Sequence, residues 1–275
     1  MATFRKDRSG APRGFFACEA AGLRWLASAG GAPAVTVLEV DEDHLLLDRL
    51  DQVAPTPEAA EAFGRALAVT HDAGADAFGA PPAGWDGDGF FGPLEDPLPM
   101  PAAAEPTWGA FYARARLGPL LDLPRARHAF SPRTRAAIGD VIDRLLAGDF
   151  DDGDFDDGDL DDDEAPARLH GDLWNGNVMW TPDGATLIDP AAHGGHRETD
   201  LAFLALFGSP FLDRVLAGYQ QAHPLRPGWQ DRVPLHQLYP LMLHAILFDP
   251  PEHGGYHGGY AQQTDRAARA ALSLR

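Results

Sequence analysis

Arg168-Leu-His-Gly-Asp-Leu-Trp-Asn-Gly-Asn-Val-Met-Trp-Thr-Pro-Asp-Gly-Ala-Thr-Leu-Ile-Asp-Pro190 is the stretch that decides how this chain is read. Two short apolar runs, Val178–Trp180 and Ala185–Ile188, flank Thr181-Pro-Asp-Gly184. Pro presets φ and Gly tolerates positive φ, so the segment between the runs is a turn and the whole predicts a β-hairpin. Folding back near residues 182 and 183 brings Asn177, just before the first strand, beside Asp189, just after the second. A paired amide and carboxylate suit a hard cation such as Mg²⁺, which takes few protein ligands and keeps positions for phosphate oxygens. Asp172 precedes Asn177 by five residues in a glycine-containing loop, so it faces the same pocket without ligating the metal. A free carboxylate there accepts a proton from an attacking hydroxyl. The bland alternative, a polar turn between edge strands with no ligand, leaves the spacing of the three groups as coincidence.

The spacing His-Gly-Asp-x-x-x-x-Asn, followed by a strand-borne Asp, resembles the kinase catalytic loop and its metal-binding Asp. Gly171 and Asp189-Pro190-Ala191 depart from the protein-kinase wording.

The chain of 275 residues is long enough for one large domain or two smaller ones with a substantial core. Its single Cys18 cannot form an intramolecular bridge, which fits a reducing compartment. No signal-type apolar region follows the basic start, and no run approaches the eighteen or so apolar residues of a membrane span, so a soluble cytoplasmic protein is expected. The net charge of −19 is mostly local: residues 149–164 hold eleven acids and no base, leaving −8 for the rest. That run predicts a disordered, solvated insert. The remaining acidic balance disfavours nucleic acid as a partner.

Thr3–Lys6 reads as a short strand, and Pro12 opens a helical pattern running to Gly30-Gly31. On that helix Glu19 shares a face with Phe15, Phe16, Leu23 and Leu26, and a carboxylate on an apolar stripe needs a partner. Lys6 is the nearest upstream candidate; in a kinase-like lobe a strand Lys paired with a helix Glu holds the ATP phosphates. Residues 34–40 and 44–48 are strand-like and complete a small sheet. Asp48-Arg-Leu50-Asp then forms the hinge whose backbone meets adenine. Thr56 as cap and Pro57 at the first position start a helix through about His71. Residues 81–106, with seven prolines and four glycines, predict a long loop. Helical patterns follow at 108–121, 133–146, 201–207, 211–221, 235–248 and 262–274. His253 and His257 sit among glycines, which argues against a helical zinc pair. His193 and His196 are expected to satisfy backbone groups rather than touch substrate.

The wording of three blocks, His170-Gly-Asp-Leu-Trp-Asn-Gly-Asn-Val, Ile188-Asp-Pro-Ala and Gly195-His-Arg-Glu-Thr-Asp-Leu-Ala, resembles the fructosamine kinases, or ketosamine-3-kinases. Weaker echoes cover most of the chain. The resemblance implies an α+β, two-lobe protein-kinase-like fold, akin to the aminoglycoside and choline phosphotransferases, with an N-terminal lobe at residues 1–52 and a larger helical lobe at 53–275. It implies phosphorylation by ATP of the 3-hydroxyl of fructosyl- or ribulosyl-lysine adducts, small or protein-bound, in deglycation. By the same resemblance Asp172 is the catalytic base, Asn177 and Asp189 hold Mg²⁺, Lys6 binds phosphate and Glu19 braces it. His170 and Asp200 support the loop, Asp48 and Leu50 belong to the nucleotide hinge, and Trp174 offers a face to the sugar. One departure is plain: the family places two strands and a glycine-rich loop before the Lys, and only five residues precede Lys6 here. A start upstream of Met1, or a degenerate kinase that only binds, would each account for it. A kinase of another small hydroxylated amine is the remaining alternative. Oligomeric state is not legible.

Overall fold

In the computed structural model, which describes residues 2–93, 95–150, 164–248 and 259–274, the N-terminal segment forms three antiparallel strands, β1 (Thr3–Asp7), β2 (Val37–Val40) and β3 (His44–Asp48). They are ordered β1-β3-β2. Thr3 pairs with Asp48 and Lys6 with Leu45, which sets Phe4 and Lys6 on one face of β1. Among the described residues no strand pairs with the other edge of β1. Helix α1 (Phe15–Ala27) covers the sheet, with Phe16 and Leu23 against Val35, Leu45 and Leu47. It starts later than Pro12 because Gly14, at φ 83°, takes the left-handed conformation at the cap. The strand expected from residue 34 is split. Residues 33–35 leave the sheet to bond Leu187 (Val35 N–H to Leu187 O, 2.9 Å), and a register shift between Val37 and Glu39 lets β2 resume on β3.

Helix α2 (Pro57–Asp72) begins where the Thr56-Pro57 pair predicts, with Thr56 Oγ1 accepting the Ala59 N–H at 3.2 Å. Residues 81–106 are not a plain loop, because they contain a hairpin, β4 (Gly89–Phe91) with β5 (Leu98–Met100). Alternate residues Phe91, Leu98 and Met100 are buried, and a two-stranded ribbon tolerates a Pro that lacks a donor. Helix α3 (Trp108–Phe111) runs through a π-helical turn (Tyr112–Leu117) into α4 (Gly118–Asp122), then come α5 (Ala126–Ala129) and α6 (Pro132–Ala147).

Strand β6 (Ala167–Leu169) pairs with β9 (His193–Gly195), and between them stands the expected hairpin, β7 (Val178–Thr181) and β8 (Gly184–Leu187), with Val178 opposite Leu187. Four helices complete the chain: α7 (Glu198–Phe207), α8 (Leu212–Ala222), α9 (Trp229–Phe248) and α10 (Tyr260–Leu272). Their core is continuous with the hairpin through Phe63, Trp180, Leu187 and Leu204. Helices α2 and α8 meet backbone to backbone: a Cβ on Gly64 would lie 1.9 Å from Val215 O. No helix among the described residues is long and apolar enough to cross a membrane. Most of the acidic run, residues 151–163, and the His253/His257 pair lie outside the described residues.

Candidate active site

The pairing of Leu169 with His193 fixes the site, because it sets the chain leaving β6 alongside the chain entering β9. The loop 170–177 and the segment 188–192 therefore face each other. Their approach is so close that a Cβ on Gly171 would sit 2.1 Å from Ala191 O, and φ there is +80°. Glycine is the residue this position admits, which explains its departure from the protein-kinase wording.

Asp200, fully buried at the start of α7, holds the loop from beneath. Its Oδ2 accepts the His170 N–H at 2.8 Å and its Oδ1 the Gly171 N–H at 2.9 Å, and His71 Nε2 lies 3.2 Å from Oδ2. Burial alone would raise this carboxyl, but the hydrogen bond and charge of His71 hold it below its ordinary value. His170 donates from Nε2 to Ile188 O (2.9 Å) and accepts the Asp172 N–H at Nδ1 (3.3 Å), and burial keeps it neutral by lowering its pKa. One imidazole thus pins the loop to the strand that delivers Asp189.

Asn177 donates from Nδ2 to Asp172 O (2.8 Å), Asp172 Oδ2 (3.0 Å) and Asp189 O (3.4 Å). The amide nitrogen is saturated, and the Asn177 side-chain oxygen takes no part in these bonds. Asp172 is raised well above the usual carboxylate range, first by burial and then by the neighbouring charges of Asp189 and Asp200. Asp189 takes a left-handed φ of +52°, a conformation uncommon outside glycine and concentrated at functional sites. Its carboxylate is 45% exposed, and Lys6 Nζ reaches Oδ1 at 3.1 Å while bonding both Glu19 oxygens at 2.8 and 2.9 Å. Burial depresses the ammonium, but Glu19 and Asp189 together leave it raised. Burial raises Glu19 despite Lys6.

Two cavities meet at Asp189. One, about 560 Å³, is walled by Phe4, Val35, Leu47, Met179 and Ile188 and bordered by the segment from Asp48 through Leu50 to Gln52. The other, about 410 Å³, contains Lys6, Glu19, Asp172, Trp174 and Asn177 under a wall of Phe15, Phe90, Met100, His244 and Leu247. The structure therefore brings the sequence-selected residues together at these cavities, with His170 and Asp200 directly beneath. Sequence reasoning missed the apolar walls. Phe4 was discoverable, since period-two alternation puts it on the Lys6 face of β1, and so was Met179, opposite the buried Val178 and Trp180 of β7. Phe90 and Met100 were hidden because their segment read as a loop.

His193 bonds Ala191 O at 2.8 Å, and His196 Nδ1 accepts the Glu198 N–H at 3.2 Å, so both satisfy backbone. His196, Glu198 and His236 place three ligand-type atoms within 4.8 Å of one another. Arg232 already holds both Glu198 oxygens and Glu164 lies 3.1 Å from His196 Nε2, so this knot is closed on itself.

A small sheet over a larger helical body, with this set of groups between them, defines a phosphotransferase of the kinase-like fold. At the level of fold the likeness extends to choline kinase LicA from Streptococcus pneumoniae (TM-score 0.57, 15% identity, 99% of this chain and 86% of that one). The chain belongs to the fructosamine kinase family, whose profile matches residues 3–269. It is 44% identical to a "putative fructosamine-3-kinase" from Thermobifida fusca, with a TM-score of 0.83 over 99% of this chain and 86% of that one. It is 34% identical over 236 residues to a "Probable ketoamine kinase" from Lactiplantibacillus plantarum, spanning 85% of this chain and 76% of that protein.

Proposed function

We propose that the chain transfers the γ-phosphoryl group of ATP to the 3-hydroxyl of a ketosamine, the fructosyl or ribulosyl adduct of a lysine, free or on a protein, as a step in deglycation. The observation that carries this reading is Asp189, which lines both a cavity bordered by the Asp48–Leu50 segment and one holding Asp172. Adenine fits the first cavity, against the backbone from Asp48 to Leu50, and the sugar fits the second, with Trp174 offering an exposed apolar face. On this reading residues 1–52 form the nucleotide lobe and 53–275 the catalytic lobe. The lone Cys18 favours a cytoplasmic setting.

In the transfer the sugar oxygen bonds to the γ-phosphorus, the bond from that phosphorus to the β–γ bridging oxygen breaks, and ADP leaves. The hydroxyl proton passes to Asp172, whose raised affinity for a proton favours receiving it. Asn177 holds Asp172 in position through Nδ2 and keeps the loop from relaxing outward. Lys6 lies toward the phosphates and Glu19 fixes its ammonium. The donor set suits Mg²⁺, because the Asn177 oxygen is not engaged in its hydrogen bonds and the half-exposed Asp189 carboxylate is a hard ligand. Held by Asn177 and Asp189, that ion would neutralise charge on the phosphate oxygens.

The test is a phosphorylation assay of the purified chain with Mg-ATP and ribulosyl-lysine, with phosphorus NMR assigning the phosphorylated carbon. Turnover giving the 3-phosphate is expected. Turnover confined to choline or an aminoglycoside, or a phosphate at another carbon, overturns the reading.

A further inference from the structure

Helices α1 and α2 both end behind the site, and the last turn of each leaves carbonyls without an intrahelical donor. One guanidinium serves both ends. Arg168, on β6, donates from Nη1 to Trp25 O at 2.6 Å and to Ser28 Oγ at 2.9 Å at the end of α1. It donates from Nε to Gly74 O at 3.3 Å and from Nη2 to Ala73 O at 3.4 Å at the end of α2. Its Cζ lies 4.6 Å from the centre of the Trp25 ring. All four hydrogen bonds go to carbonyl or hydroxyl oxygens, where a cation also complements the negative ends of two helix dipoles. The fork geometry matters, since an ammonium cannot address two helix ends at once.

The residue bearing this fork stands two positions before His170, at the root of the loop that carries Asp172. The helix it grips carries Glu19, six residues before Trp25 and so about 9 Å along the axis. Between the two points α1 rests on the segment after Asp189, where a Cβ on Gly22 would lie 3.1 Å from Ala192 Cβ and 3.4 Å from Pro190 Cγ. So α1 is gripped at its end by Arg168, seated at its middle on Pro190 and Ala192, and charged near its start by the Glu19 pair with Lys6. A tilt about the Gly22 seat moves Glu19 relative to Lys6 and Asp189 whenever the far end is released.

We infer that Arg168 is a positioning residue for nucleotide binding: it ties the tilt of α1 to the catalytic strand and thereby sets Glu19 against Lys6. The inference rests on the proposed phosphate-binding role of Lys6. It places the larger effect of Arg168 on the ATP side of the reaction, through the Lys6–Glu19 pair.

The test measures Mg-ATP affinity by calorimetry, and KM for ATP and for ribulosyl-lysine, in the unmodified chain, Arg168→Leu, Arg168→Lys, Glu19→Gln and the Arg168→Leu/Glu19→Gln double variant. Arg168→Leu should weaken Mg-ATP binding roughly 3–20-fold with a smaller change in the KM for ribulosyl-lysine, and Arg168→Lys should fall between. In the Glu19→Gln background Arg168→Leu should add under about twofold, because its effect travels through Glu19. A Leu variant that melts earlier yet binds Mg-ATP normally, or losses that multiply in the double variant, overturns the inference. Should the Leu variant not fold, the Lys variant decides, and unaltered Mg-ATP affinity there overturns it. An unmodified chain that fails to bind Mg-ATP refutes the functional reading itself, so the two failures are distinct.

Discussion

Lys6 and Asp189 are 183 positions apart in the chain and 3.1 Å apart in the fold, the ammonium of one on Oδ1 of the other. The same ammonium bonds both oxygens of the buried Glu19. One cation therefore joins the N-terminal sheet, helix α1 and the end of the catalytic ribbon. Its two partners, Glu19 and Asp189, bring two negative charges against its one, so the trio holds together only while Lys6 is present.

Lys6→Met separates the two consequences of that arrangement. Losing a preorganised cation at the phosphates should lower kcat/KM for ATP on the order of 10²-fold. Leaving Glu19 buried without a partner should also lower the melting temperature. Adding Glu19→Gln to Lys6→Met removes the uncompensated charge, so thermal stability should return while turnover does not. Recovery of both would mean that Lys6 acts only through folding.

The hairpin, and with it the meeting of Asn177 and Asp189, was legible because Thr181-Pro-Asp-Gly184 combines a preset φ with a residue free to take positive φ, leaving one fold-back point. The Lys6–Glu19 pair was legible because a carboxylate on the apolar stripe of Phe16, Leu23 and Leu26 demands a partner. The β4–β5 hairpin was not, because prolines conceal a strand pattern that survives only where the missing donor is not needed. His71, which supports Asp200 from α2, gave no local signal. Its role exists only once residues 129 positions apart pack together.

Asp172→Asn should slow phosphoryl transfer on the order of 10²–10⁴-fold. Its effect on stability should have the opposite sign and depend on pH. Asp172 is raised by burial and by the neighbouring acids, so its folded form binds a proton more tightly than the unfolded chain does. The resulting penalty is absent below the unfolded value of 3.8, grows as pH rises toward the elevated folded value, and is complete above it. Melting curves should therefore coincide for the two proteins near about pH 4 and separate in favour of the Asn variant toward about pH 8. A variant less stable at the alkaline end would contradict the environment assigned to this carboxyl.

Gly171→Ala tests how tightly the loop is built. The new methyl meets Ala191 O at 2.1 Å and His193 Nδ1 at 2.9 Å, on a backbone held at φ +80°. Relief requires moving the Gly171 N–H away from Asp200, so stability should fall by about 3 kcal/mol and activity should drop with it. Gly10→Ala is the control: φ is +81° there but nothing lies within 4 Å of the added Cβ, so only the conformational penalty of about 1 kcal/mol applies. Equal losses at both sites would show that close packing at Gly171 contributes nothing beyond its φ.

Asp189 combines a charge and an unusual backbone, and two substitutions divide them. Asn accepts a left-handed φ about as readily as Asp does, so Asp189→Asn should keep the fold and its melting temperature, helped by the 45% exposure of the side chain and by the pair Lys6 retains with Glu19. What it loses is a hard anionic ligand. Mg²⁺ should strengthen ATP binding to the unmodified chain and do little for this variant, and kcat/KM for Mg-ATP should fall about 10²–10³-fold. Chelation by EDTA should bring the unmodified chain to a similar level. Asp189→Val removes the same charge but sets a β-branched side chain at φ +52°, so it should also unfold earlier. If the Asn variant responded to Mg²⁺ as the unmodified chain does, the ion would have to be held without Asp189, and the proposed pairing with Asn177 would be wrong.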